Sequence, residues 1–201
     1  MEDSYFLADK SVAICGLGGL GSSIALTLVR AGVKRLHCID FDRVDALNIH
    51  RQQYFLRQIG KYKTEAIQDL AKEINPNCKV RISTEKITLD NMQELLCADD
   101  LICEAFDNPK EKAMLVNGVL ELFPEKFLVA ASGMAGFEDA NAIHTRKIRD
   151  NFFLCGDEVS SLKKNEHLVA SRVLVCAAHQ AHILLQQLAN DTLKRNFYEK
   201  Q

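Results

Sequence analysis

The residues best spaced for chemistry are a run of glycines followed by charged and amide side chains that could grip a polyphosphate. Gly16, Gly18 and Gly21 fit G-x-G-x-x-G, and Gly19 adds a fourth glycine. An apolar, strand-like run, Val12 to Cys15, feeds into them, and a helix-like run, Ser22 to Arg30, leaves them. A strand, a turn without side chains and a helix N-terminus form a phosphate cradle, because backbone can approach closely and free N–H groups point at the anion. Asp40 ends the next apolar run, 24 residues after Gly16, where a carboxylate can reach a ribose hydroxyl. Asp42, Asn48, Arg51, Gln52 and Lys63 follow, and Asp107 comes after a later strand-like run. Alone, each charged residue reads as a solvated surface group. Together they describe an adenine-nucleotide site, used either for a dinucleotide in redox chemistry or for ATP in group transfer.

The elements that must position these residues alternate. Strand-like runs cover 11–15, 35–39, 79–83, 100–104 and 127–131, and helix-like runs cover 20–31, 61–74, 91–97, 110–121 and 172–189. Asn75-Pro76 ends the second helix; Asn108-Pro109 begins the fourth, with Asn108 as N-cap and Pro109 in the first helical position. Such alternation predicts an α/β fold of Rossmann-like, doubly wound type, with a mainly parallel sheet and helices on both faces. The weak alternation from Asn141 to Ile148 predicts an antiparallel strand or hairpin added at one edge. Residues 156–170 are polar and poorly patterned, which reads as a mobile loop, and 191–201 reads as a charged, unstructured C-terminal tail after a single domain over 1–190. From Phe41 to Gly60, about 20 residues separate strand two from the next helix. A connection that long is usually functional or disordered. Its apolar content argues against disorder, so it is taken as the active-site segment.

The 201 residues carry 25 Lys+Arg and 27 Asp+Glu, a balance that gives no electrostatic case for nucleic acid or a membrane surface as partner. No apolar run approaches the ~20 residues that cross a bilayer, and Met1 to Phe6 does not open a secretion signal. Seven cysteines, an odd number mostly within apolar runs, suit a reducing cytoplasm.

The order and spacing of Asp40-Phe-Asp42-Arg-Val44, Leu47-Asn48-Ile-His-Arg51-Gln52, Gly60-Lys-Tyr-Lys63, Ile74-Asn75-Pro76 and Glu104-Ala-Phe-Asp107-Asn108 resemble the ThiF/MoeB family, bacterial relatives of ubiquitin-activating enzymes. Leu128 to Gly136, Cys155-Gly-Asp157 and Ala177-Ala-His-Gln180 are similar to its short ThiF form. The resemblance implies an ATP-dependent adenylyltransferase. It would activate the C-terminal glycine carboxylate of a ubiquitin-like, ThiS-like sulfur carrier in thiamine synthesis, release pyrophosphate and work as a homodimer. It also implies roles: Asp40 on the ribose, with Asp42 beside it; Arg51 and Lys63 on the phosphates; Asn48 and Gln52 orienting the phosphate or the incoming carboxylate; Asp107 holding Mg²⁺. Apolar stretches at Tyr54-Phe55-Leu56 and Leu115-Val116 are candidates for the dimer contact, or for the core.

Two features depart from the family pattern. No two cysteines stand three apart, so a four-thiolate zinc site is not expected. The first Arg is Arg30, so an N-terminal Arg that would reach the partner's site is not expected either. Cys155 is the candidate for a sulfur-transfer thiol. Other readings stay open: molybdopterin-carrier or tRNA-modifying relatives of the same family, a non-catalytic carrier-binding subunit, and an NAD-dependent oxidoreductase. The last leaves Asn48, Arg51, Lys63 and Asp107 unexplained.

Overall fold

The computed structural model describes residues 7–160 and 168–198. Five parallel strands, β1 (Ser11–Cys15), β2 (Arg35–Ile39), β3 (Lys79–Ser83), β4 (Leu101–Glu104) and β5 (Phe127–Ala131), alternate with helices α1 (Gly19–Arg30), α2 (Lys63–Ile74), α3 (Met92–Leu96) and α4 (Pro109–Leu122). A hairpin, β6 (His144–Arg149) and β7 (Phe152–Gly156), follows, and then the long helix α5 (Ala170–Tyr198). The sheet order is β3-β2-β1-β4-β5-β7-β6. β7 pairs parallel with β5, and β6 is the antiparallel edge. The expected edge extension is therefore present, with its second strand continuing the parallel sheet.

Burial follows from that order. β1, β4 and β5, in the middle, are almost wholly buried and apolar, as strands covered on both faces must be. Edge strand β6 exposes His144, Arg146, Lys147 and Arg149, charges that discourage edge-to-edge pairing. One core packs α1, α2 and α5 on one face through Ile24, Leu28, Ile67, Leu70, Ala177, Ala181 and Leu184. The other packs α3 and α4 through Met92, Leu96, Leu115 and Val119. Asn108 caps α4 by accepting from the Lys110 and Glu111 N–H groups, with Pro109 at the first helical position, as the sequence predicts. The segment from Asp191 differs from expectation, because α5 continues to Tyr198. The predicted loop at 156–170 is described only in part; residues 161–167 lie outside the described residues.

A buried polar cluster ties the β2–β3 side of the sheet to the start of β4. His37 on β2 contacts Asp99 Oδ2 through Nδ1 and Ser83 Oγ through Nε2, each at 2.8 Å. The Ser11 hydroxyl donates to Asp99 Oδ1 at 2.6 Å, and Arg81 donates to Oδ2 at 3.0 Å. Burial alone would raise the Asp99 carboxyl, but the hydrogen bonds from His37 and Ser11, with the nearby His37 and Arg81, outweigh it and hold the carboxyl below its ordinary 3.8. A depressed folded-state value means that Asp99 stabilises the fold above pH ~4 and loses that contribution as pH falls. Asp99→Asn should therefore cost about 3 kcal/mol at pH 7, the scale for removing one partner of a buried charged pair. The gap to the parent should narrow progressively as pH falls below about 4, as urea melts across that range would show.

Candidate nucleotide site

The site forms where the winding of the sheet reverses, between neighbouring strands β1 and β4. Their C-terminal ends lead away to opposite faces, which opens a crevice. Gly16 leaves β1 with φ +92°, and a Cβ there would stand 2.9 Å from Phe106 Cδ1 and 3.0 Å from the Ala105 carbonyl oxygen. A Cβ on Gly21 would collide with the Gly16 carbonyl oxygen, so the first turn of α1 lies directly on the strand end. No side chain caps α1, whose first N–H groups have no partner inside the helix.

Both polar backbone groups of Leu17 are held by other elements. Asp40 Oδ2 accepts its N–H at 2.6 Å, and the buried Tyr54 hydroxyl donates to its carbonyl at 2.7 Å. Asp40 Oδ1 accepts the Asp42 N–H at 2.8 Å. Burial is the dominant influence on Asp40 and raises its carboxyl above the usual range, against the pull of Lys63 and the two backbone donors.

The 41–60 segment folds back on itself. Val44 N–H donates to the Lys61 carbonyl and Lys63 N–H to the Asp42 carbonyl, which closes the base of the excursion. Its far part is pinned to α1, where Gln53 donates to the Ser22 and Ser23 hydroxyls. A short 3₁₀ turn, Ala46–Arg51, capped by Asp45, carries Asn48 and Arg51.

These constraints leave a cavity of about 590 Å³. Gly16, Gly18, Gly19, Asp40, Asp42, Asn48, Arg51, Gln52, Lys63 and Asp107 all line it, so nearly every residue singled out in the sequence converges there. Gly21 stands behind the wall, where its role is close packing. Lys63, 5% exposed, sits 2.7 Å from Asp42 Oδ2 and 3.8 Å from Asp40 Oδ2. Among the described residues no carboxylate pairs with Arg51, and neither Asn48 nor Asp107 makes a side-chain hydrogen bond. Asp107 is exposed at the rim. Gln52 is buried, and its Oε1 finds no partner among the described residues.

One sequence expectation is corrected, and one open alternative is decided. Cys155 is fully buried, and burial pushes its thiol up to about 11 against a hydrogen bond with Thr145, so it is not a poised sulfur nucleophile. Tyr54 and Leu115, read as either dimer contact or core, belong to the core. Phe55 and Leu56 remain exposed, joined on the same segment by Leu47 and Ile59.

Several cavity residues were not singled out: Lys86 and Glu111, ion-paired at 2.7 Å, and Lys112, paired with the buried Glu104; Ser132 to Ala135, within the recognised Leu128–Gly136 stretch, also line the cavity. Glu104 stood in a recognised motif, but nothing in its spacing marked Lys112 as its partner.

The comparisons with known proteins agree with this architecture. The chain is 37% identical over 112 residues to the tRNA threonylcarbamoyladenosine dehydratase of Haemophilus influenzae, covering 55% of this chain and 43% of that one. It is 36% identical over 108 residues to the sulfur carrier protein adenylyltransferase of Thermus thermophilus, covering 53% and 40%. The chain thus matches less than half the length of these relatives. Its fold superposes on the E. coli tRNA N6-threonylcarbamoyladenosine dehydratase crystallised with ATP, with a TM-score of 0.84 at 20% identity over 94% of this chain and 89% of that one. The family model described as "ThiF family" matches residues 2–198, and the chain belongs to the ThiF family.

Proposed function

We propose that this chain is an ATP-dependent adenylyltransferase that activates the C-terminal glycine carboxylate of a ubiquitin-like sulfur carrier. The observation that carries this reading is one cavity holding both an uncapped helix N-terminus and the cations Arg51 and Lys63, with Asp107 at its rim. A nicotinamide dinucleotide would use the glycine turn and Asp40 but has no need of that set. The carboxylate oxygen attacks the α-phosphorus in line, a P–O bond forms, and the bond to pyrophosphate breaks. Both reactants are anions, so catalysis is positioning and charge neutralisation.

Asp40, its oxygens oriented by two backbone N–H groups, receives the ribose hydroxyls. Arg51 grips phosphate oxygens as a fork, and Lys63 acts as a point charge; Asp42 occupies one of its three donors and keeps it facing the site. Asn48 and Gln52 orient the phosphate or the incoming carboxylate. Among the described residues no group of three or more His, Cys, Asp or Glu could cage a metal. Mg²⁺ does not need one, because it binds through one or two carboxylates, substrate phosphates and water. Asp107 has the free carboxylate such an ion would use, and the ion would neutralise phosphate charge.

The carrier is assigned as ThiS-like, serving thiamine synthesis. A second reading, a tRNA dehydratase, draws on the Haemophilus relative, but a net charge of −2 gives the chain little overall attraction for a polyanion. Pyrophosphate exchange should be stimulated by a ThiS-like carrier, and stimulation by threonylcarbamoyladenosine-bearing tRNA instead would replace this reading with the second. Among the described residues no helix is long and apolar enough to cross a membrane. A cytoplasmic setting suits seven free cysteines, six of them buried.

ATP with Mg²⁺ should bind in calorimetry and NAD should not compete; tight NAD binding indifferent to ATP would sink the assignment. Asp107→Ala should keep the fold and lower Mg-dependent exchange by at least ~100-fold, the equivalent of several kcal/mol of lost charge stabilisation. Near-normal exchange by the folded variant would remove Asp107 from the site. The working unit is proposed as a homodimer that covers Leu47, Phe55, Leu56 and Ile59 and so steadies the segment bearing Arg51. Light scattering at micromolar concentration should give twice 22.6 kDa; a fully active monomer would refute it.

A further inference from the structure

One cation in the cavity has no part in the chemistry above. Lys112, the fourth residue of α4, is 18% exposed at its side chain, and its Nζ stands 2.9 Å from both carboxylate oxygens of Glu104. It also donates to the Phe106 carbonyl at 2.8 Å. Lys112 thus donates two hydrogen bonds within the protein, one to the Glu104 carboxylate and one to the Phe106 carbonyl. Its charge is already paired with a buried carboxylate, whereas among the described residues no carboxylate pairs with Arg51.

Its partner is the centre of a clasp. Glu104, wholly buried at the end of β4, accepts the Phe106 N–H at 2.7 Å through Oε1 and the Ala131 N–H at 3.3 Å through Oε2. Its backbone carbonyl accepts from Gln180 of α5 at 2.8 Å. One ion pair therefore joins the turn after β4, the end of β5 and the start of α4. The next residue after Phe106 is Asp107, and the next after Ala131 is Ser132, where the cavity wall begins. The same turn presses on the glycine turn, since Phe106 and Ala105 occupy the space a Gly16 side chain would need. Without Lys112, Glu104 would be an uncompensated buried charge, and the turn would lose its grip on the Phe106 carbonyl.

We propose that Lys112 is a positioning residue. By neutralising Glu104 and holding Phe106, it fixes the Asp107 carboxylate at the cavity rim for a phosphate-bound divalent cation, without touching the nucleotide itself. This rests on the reading of Asp107 as the metal carboxylate. Groups that orient a metal ligand commonly change metal affinity by about 10–100-fold when removed.

The test compares the parent protein with Lys112→Arg, Lys112→Met, Asp107→Ala and the double variant Lys112→Met/Glu104→Gln. The double variant removes the buried unpaired charge that could unfold the single one. ATP affinity is measured by calorimetry in EDTA and across a Mg²⁺ series, with thermal melts to confirm folding. The double variant should keep metal-free ATP affinity within about threefold of the parent while its half-saturating Mg²⁺ rises at least ~10-fold; Lys112→Arg should stay within about threefold on both. An unchanged Mg²⁺ requirement in the folded double variant would overturn the proposal. So would an equal loss with and without metal, which would put Lys112 on the nucleotide. If Asp107→Ala responds to Mg²⁺ like the parent, the reading of Asp107 fails and this proposal falls with it. If Asp107→Ala alone loses the response, only the role of Lys112 fails.

Discussion

The site depends on the grip that other elements take on the backbone of Leu17. A glycine turn without side chains has many conformations, and one that cradles phosphate must be held in a single conformation by something else. Here its N–H is taken by Asp40 from the end of β2 and its carbonyl by Tyr54 from the long segment after β2. The contact of Gly21 with the Gly16 carbonyl then fixes where α1 begins. Three elements distant in sequence thereby agree on the place of one turn, and the same interactions bring Asp40 and the 41–60 segment to the cavity.

The acids of the site divide by what they do. Asp40 and Glu104 are buried and spend their oxygens on backbone N–H groups, with Lys63 and Lys112 near enough to offset their charge. Such carboxylates have their charge compensated in place, because an uncompensated one would be expensive at that depth. Asp107 is exposed and unpartnered among the described residues, as a group must be if it is to gain a partner with the ligand. The cations divide in the same way, Lys63 and Lys112 paired and Arg51 without an acid among the described residues. Burial and pairing therefore separate residues whose place is fixed before a ligand arrives from residues that still have a partner to gain.

Much of this was legible in the sequence. The parallel strands and their helices follow from apolar period and length, and the ends of α2 and α4 follow from Asn75-Pro76 and Asn108-Pro109, where the cause of termination is local. The convergence of Asp40, Arg51, Lys63 and Asp107 on one cavity was legible because topology places strand ends together. What stayed hidden depends on long-range pairing. Tyr54 was open between an intersubunit contact and the core, and nothing in the sequence pointed its hydroxyl at the Leu17 carbonyl. Lys112 had no sequence mark to separate it from the solvated lysines around it. Cys155 sat in a polar motif, but its environment is set by strand pairing and by α5, which bury the thiol. The parallel pairing of β7 with β5 likewise depends on which edge of the sheet is free, a property of the whole fold.

The glycine fingerprint cannot by itself distinguish a dinucleotide from a triphosphate, because the physical demand it meets, close approach of backbone to phosphate, is common to both. Discrimination falls to whatever covers the open side of the crevice. In this chain that cover is the folded-back 41–60 segment, closed at its base by the Asp42–Lys63 and Val44–Lys61 backbone bonds and anchored to α1 through Gln53. It delivers the Arg51 guanidinium and two amide side chains to the mouth of an uncapped helix, a concentration of donors suited to a polyphosphate whose charge is being rearranged. A hydride-transfer site would instead need an apolar floor for a nicotinamide ring at that position. The identity of the nucleotide is thus written less in the glycines than in the length and closure of the segment that follows β2.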